Sequence, residues 1–159
     1  MLMHVEEGAM ELSDSLKEFL KQPNLGILTT LRKDGSPHQT VVWYEYEDGE
    51  VRISITDTRM KYKHVVRDPR VSLAITSPEQ PYKEVVFEGK AHVTQEGGPE
   101  LIRRLAIKYN GEVEGPRYAD YTIEKDNRLV LHFKPERTMS WNFAVEDDDH
   151  QPWGYDRRF

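Results

Sequence analysis

The stretch from Leu25 to Ile75, LGILTTLRKDGSPHQTVVWYEYEDGEVRISITDTRMKYKHVVRDPRVSLAI, alternates β-rich runs with turn signals and is interrupted by one short helical pattern. LGILTTLR (25–32) is apolar and β-branched, KDGS reads as a turn, and PHQTVVWYEYE (37–47) is a second β-rich run. Asp48-Gly49 predicts a two-residue hairpin turn into EVRISIT (50–56), because a left-handed backbone is cheap at these residue types. RVSLAIT (70–76) then reads as a fourth strand. Between these strands, Tyr62, Val65 and Val66 fall at i, i+3 and i+4 and are expected to face a core. That places Lys61 and His64 on an adjoining face, turns Lys63 and Arg67 away, and lets Pro69 end the helix. Arg59 lies at the first turn, where unpaired N–H groups and the helix dipole favour an anion. Arg59 and Lys61 there would make a phosphate cradle. On spacing alone the same cations read more readily as a solvated helix face.

Outward from this stretch, LSDSLKEFLKQP reads as a short helix capped by Ser13 and stopped by Pro23. EVVFEGKAHVT (84–94) is a fifth strand with Gly89 where a long strand would bulge or bend. GGPELIRRLAIKYNG is helical with Gly111 as its C-cap, and 111–121 is taken as a loop. RLVLHFKP (128–135) and RTMSWNF (137–143) complete six to seven antiparallel strands with short helices. The fold class is therefore mainly β, a small antiparallel barrel. Residues 1–143 form one domain, and 144–159 form an acidic tail with little to bury.

Composition narrows function. With 22 Lys+Arg against 28 Asp+Glu, a net charge of −6 offers no field to capture nucleic acid. The absence of cysteine removes thiolate nucleophiles, Cys-ligated metals and disulfides, and makes a cytoplasmic protein the simplest reading. No apolar run approaches a membrane span, and MLMHVEEGAMELSD lacks the basic-then-apolar order of an export signal. Neither G-x-S-x-G, H-E-x-x-H nor a P-loop occurs, and the six histidines show no paired ligand spacing, so no metal is expected.

The order of motifs, G-x-L-x-T-x-x-x-D-G-x-P followed by R-x-K-x-x-H-V-x-x-D-P-R-V, resembles the pyridoxamine 5′-phosphate oxidase-like superfamily of split β-barrel flavoproteins, from about Leu12 to Phe143. SPEQPYKEVVFEGKAHV and PERTMSWNF look most like its coenzyme F420-dependent (deazaflavin) branch. The resemblance implies an FMN-binding-protein-like split barrel. It further implies an oxidoreductase that transfers hydride to a small organic acceptor, with catalytic residues unassigned because the cofactor carries the chemistry. Arg59 and Lys61 match the cations that bind the cofactor's phosphate, Met60 between them is taken as cofactor-binding, and Ser54, Ile55 and Thr56 match the strand end beneath the cofactor. His64 stands where many relatives have Asn and is taken as a cofactor-binding residue, at a phosphate or ribityl contact. His38, Gln39, Thr40 and Val41 match the strand lining the ring, although Thr40 reads equally as an ordinary strand residue. Members form homodimers with cofactors at the interface, so Tyr82, Lys83 and Trp141 are expected to complete the partner's site, Trp141 serving equally well as interface core. FMN in place of F420, a non-catalytic flavin-binding protein, and haem handling are the rival readings, the last without a persuasive axial ligand.

Overall fold

The computed structural model describes residues 4–7, 12–141 and 143, with residues 4–7 described in backbone only. The 144–159 segment and its expected tail character lie outside the described residues. Ten strands and three helices are described, more strands than the sequence pattern predicts, for three reasons. The 37–47 run divides into β3 (Pro37–Val42) and β4 (Glu45–Glu47), which belong to different sheets. The 84–94 run divides at Ala91 into β7 (Glu84–Lys90) and β8 (His92–Thr94), again in different sheets. An N-terminal strand, β1 (His4–Glu7), which the sequence reading did not assign, pairs antiparallel with β10 (Pro135–Trp141).

The remaining elements are α1 (Asp14–Lys21), β2 (Gly26–Leu31), β5 (Glu50–Thr56), α2 (Met60–Arg67), β6 (Arg70–Thr76), α3 (Gly98–Lys125) and β9 (Arg128–Phe133). Six strands form one antiparallel sheet in the order β1-β10-β7-β6-β2-β3, and four form a second in the order β4-β5-β9-β8. Long strands that pass from one sheet to the other at a break make the split barrel. Asp48 and Gly49, with φ of 53° and 75°, make the expected tight turn between β4 and β5. Near Gly89 the β7–β10 register shifts between Pro135 and Arg137, so the irregularity expected there falls on the facing strand.

Strand alternation builds the core. β5 buries Val51, Ile53 and Ile55, and β9 buries Leu129, Leu131 and Phe133 beside them. Leu28, Leu73, Ile75, Val85 and Phe87 of the larger sheet join the same core, and Tyr46 stacks on Phe87 across the two sheets at 5.3 Å between ring centroids. Ser13 caps α1 by accepting from the Leu16 N–H at 3.3 Å, and Leu16, Phe19 and Leu20 seal one end of the barrel.

Helix α3 differs most from expectation. Gly111 has φ 82° and ψ 175°, a backbone that ends one helix, but the chain resumes helix at once through residues 112–125 instead of forming a loop. The return turn packs tightly against the first half: a Cβ on Gly115 would lie 2.7 Å from the Ala106 carbonyl oxygen. Leu101 and Leu105 cover Val130, so β9 is buried on both faces.

Candidate cofactor site

A cavity of about 520 Å³ opens where β3, the C-terminal end of β5, the N-terminus of α2, the start of β9 and both halves of α3 meet. Strand alternation sends His38, Thr40 and Val42 of β3 toward it, and Ser54, Ile55 and Thr56 line it from β5. Arg128 enters opposite Thr56, its cross-strand partner. Arg59 occupies the N-cap of α2 without a side-chain cap bond, and Met60 and Lys61 follow in the first turn. Among the described residues no Asp or Glu lines the cavity, so Arg59, Lys61 and Arg128 converge there in a chain of net charge −6, with Arg128 also facing Asp126 at 3.6 Å. Burial, with Arg59 alongside, holds the Lys61 pKa below its ordinary value.

Among the described residues, five buried side-chain polar atoms have no hydrogen-bond partner, and four belong to this cavity's lining: His38 Nδ1, Thr40 Oγ1, Ser54 Oγ and Arg128 Nε. Unpaired buried polar groups each cost about 1–3 kcal/mol, so their clustering on three strands marks a place where a ligand could supply the missing partners. The donor set suits a phosphate at the cationic side and a ring edge of mixed donors and acceptors beside the β3 hydroxyl and imidazole. These residues fit a flavin-type cofactor.

The opposite wall is aromatic. Trp43 stacks on Tyr109 with centroids 5.1 Å apart and planes 4° from parallel, and Tyr118 leans on Trp43 at 5.2 Å. The stack is pinned from behind. Tyr109 donates its hydroxyl to the Asn24 carbonyl at 2.7 Å, and Lys108 donates to the Leu20 and Tyr44 carbonyls at 3.0 Å each. Leu20 is in the last turn of α1, where carbonyls lack helical partners, so Lys108 satisfies both that helix end and the β3–β4 break. Burial lowers the Lys108 pKa to about 8.

Of the residues singled out by sequence, His38, Thr40, Val41, Ser54, Ile55, Thr56, Arg59, Met60 and Lys61 line this cavity together. Gln39 points to the other face of β3, where its amide donates to Thr29 Oγ1 at 3.4 Å. His64 is buried instead of lining the cavity, its Nδ1 2.9 Å from Thr30 Oγ1, while Val66, expected in the core, is 66% exposed. Helix α2 is thus rotated to bury an imidazole where apolar periodicity predicts a valine. Tyr82 and Lys83 lie in the loop before β7, and Trp141 ends β10 opposite Glu84, so none of the three lines the cavity within one chain. Arg128, Trp43 and Tyr118 line it without having been singled out. An arginine opening a largely apolar strand, RLVLHF, was the available signal for Arg128. Tyr118 gave none, because its segment read as a loop.

A family model for pyridoxamine 5′-phosphate oxidase matches residues 12–142. The chain is 28% identical over 128 residues to a protein of Mycobacterium tuberculosis (strain CDC 1551 / Oshkosh) named F420H(2)-dependent biliverdin reductase, a match covering 80% of this chain and 87% of that protein. Among solved structures it is similar to one called F420 Reductase, with a TM-score of 0.68 and 22% identity over 80% of this chain and 98% of that one. It is also similar to a conserved hypothetical protein of Mycobacterium tuberculosis, with a TM-score of 0.66 and 25% identity over 92% of this chain and 98% of that one.

Proposed function

The chain belongs to the pyridoxamine 5′-phosphate oxidase family, and from that premise we propose that it is an oxidoreductase using the deazaflavin coenzyme F420 to deliver hydride to a small organic acceptor. The observation that carries this reading is the coincidence of Arg59, Lys61 and Arg128 with four unpartnered polar atoms in one cavity that no carboxylate of the described residues lines. The relative named as an F420H(2)-dependent reductase favours F420 over FMN. When bound, the cofactor supplies the hydride chemistry. Arg59 and Lys61 hold its phosphate, Arg128 and Ser54 bond its polar edge, Thr40 and His38 orient the ring, and Trp43 with Tyr118 excludes water from the acceptor side.

The site lies at a homodimer interface in this reading. Val41, Ile27, Ala74, Val86 and Met139 stand in one cross-strand row on the outer face of the six-stranded sheet. Ile27 is 39% and Val41 63% exposed, and Val41 lines the cavity as well. A second copy seated on that row would cover the apolar face and close the cavity mouth in one step. Tyr82, Lys83 and Trp141 would then be available to the partner's site.

Coenzyme F420 continues past its phosphate into an acidic tail, whereas FMN ends in a terminal phosphate. Exposed Lys63 on α2 is available to such a tail, whereas the Arg67 guanidinium is bonded to the Leu31 carbonyl. Fluorescence titration with each cofactor at two salt concentrations tests the reading. F420 binds more tightly, with the preference shrinking as salt screens the tail beyond a Debye length of about 8 Å. Tighter FMN binding at both concentrations transfers the assignment to an FMN enzyme or flavin-binding protein. Binding of neither removes the cofactor role.

A further inference from the structure

Helix α2, which carries Arg59 at its cap and Lys61 in its first turn, is tied to β2 by two side chains. Arg67 donates to the Leu31 carbonyl at 2.5 Å, and His64 bonds the Thr30 hydroxyl through Nδ1 at 2.9 Å. Only the second tie is buried: His64 is 2% and Thr30 1% exposed. The His64 ring meets His38 edge to face, with centroids 5.1 Å apart and planes at 85°, and His38 lines the cavity with an unpartnered Nδ1. Among the described residues, the charged and titratable groups acting on His64 are His38 from β3, Arg67 from α2 and Arg32 beyond β2, and no carboxylate bonds it. An imidazolium there would be desolvated among cations with no anion to offset it.

We propose that His64 is a positioning residue for the cofactor site: as a neutral imidazole bonded to Thr30 it seats α2 and His38 so that Arg59, Lys61 and His38 face the cavity, and its protonation unseats them and releases the ligand. The inference rests on the proposed cofactor reading only for the identity of that ligand. A histidine serves here as an acid-sensitive wedge between a binding helix and the sheet, where a non-titrating side chain would give a permanent one. Burial first, then His38, Arg67 and Arg32, push the His64 pKa below its ordinary value, in keeping with this. The sign follows from linkage. Below about pH 6.5 an unfolded or unseated histidine takes up a proton that the seated one refuses, so acid favours the unseated state.

The test compares the wild type with His64→Asn, whose amide can stand where Nδ1 stands but does not titrate in this range. Coenzyme F420 affinity is measured by fluorescence from about pH 8 to about pH 5.5, together with the thermal midpoint of the ligand-free protein at each pH. The ratio of the two affinities cancels titration of the ligand. The wild type should weaken several-fold more than His64→Asn over that range, and its ligand-free midpoint should fall more steeply. Parallel curves in both measurements overturn the proposal. If neither protein binds F420 at any pH, the cofactor reading fails while the ligand-free midpoints still decide the role of His64. Should His64→Asn not fold, the imidazole resonances of wild-type His64 decide it: a titration midpoint at or above the ordinary histidine value overturns the proposal.

Discussion

Lys61 and Lys63 belong to one short helix, yet one lines the cavity half-buried and the other is exposed. Their contrast isolates a phosphate contact from general surface charge. Lys61→Ala should weaken cofactor binding by about 1.5–3 kcal/mol, the range of a hydrogen bond to a charged group, and Lys63→Ala should change it far less at moderate salt. Equal losses in a cofactor titration would mean that the helix acts only as a diffuse positive surface. Lys108 gives a second residue-scale prediction, on stability. Its folded pKa of about 8 lies below the ordinary 10.5, so between those values the unfolded chain binds the proton more strongly. Unfolding free energy from this group therefore rises with pH across that window. Denaturant melts of the wild type should show that rise from about pH 8 to about pH 10, before tyrosines ionise in the unfolded chain, and Lys108→Met should flatten it. Identical slopes would mean that the amine is no harder to protonate in the folded protein than in the unfolded one.

Element junctions set the geometry of the cavity. The N-terminus of α3 approaches β9 so closely that a Cβ on Gly98 would lie 1.9 Å from the Arg128 carbonyl oxygen. Gly98→Ala must push the Arg128 backbone, and Arg128 with it, out of register with Thr56. A loss of about 3 kcal/mol in unfolding free energy is expected, accompanied by weaker cofactor binding. Wild-type affinity in Gly98→Ala would show that the strand start can shift without disturbing the site. Much of this scale was readable from sequence. β5 and β6 fall on EVRISIT and RVSLAIT because alternation and flanking turns agree there, and Ser13, Asp48-Gly49 and Gly111 act at the positions their local chemistry requires. The readings that failed depended on distant contacts. PHQTVVWYEYE is uniformly β-rich, and only the crossing between sheets, where Lys108 and Tyr109 meet Tyr44, breaks it in two. The second half of α3 is held by close packing of Gly115 on Ala106 and Ile107, which periodicity does not register. His64 is buried because Thr30, remote in sequence, offers it a hydrogen bond.

At the scale of the whole molecule, an acidic chain keeps a cationic cavity, lined by no carboxylate among the described residues, beside a row of apolar side chains on the sheet. The proposed homodimer follows from that adjacency, and light scattering at low micromolar concentration should give twice 18.6 kDa, with an interface of about 2,000 Å² or more in total. Val41→Lys, which places a charge in the exposed row at the cavity mouth, should shift the equilibrium toward monomer and weaken cofactor binding together; a monomer that binds with wild-type affinity would separate the cavity from the interface. In the proposed function this cavity holds a phosphate-bearing deazaflavin through cations on α2 and β9. Calorimetric titration of coenzyme F420 into the wild type and into Arg128→Met tests it most directly. One site per chain is expected in the wild type and at least a tenfold loss of affinity in Arg128→Met, about 1.4 kcal/mol for a charged partner removed from a buried site. Absence of binding to the wild type, or equal affinity in the two proteins, would contradict it.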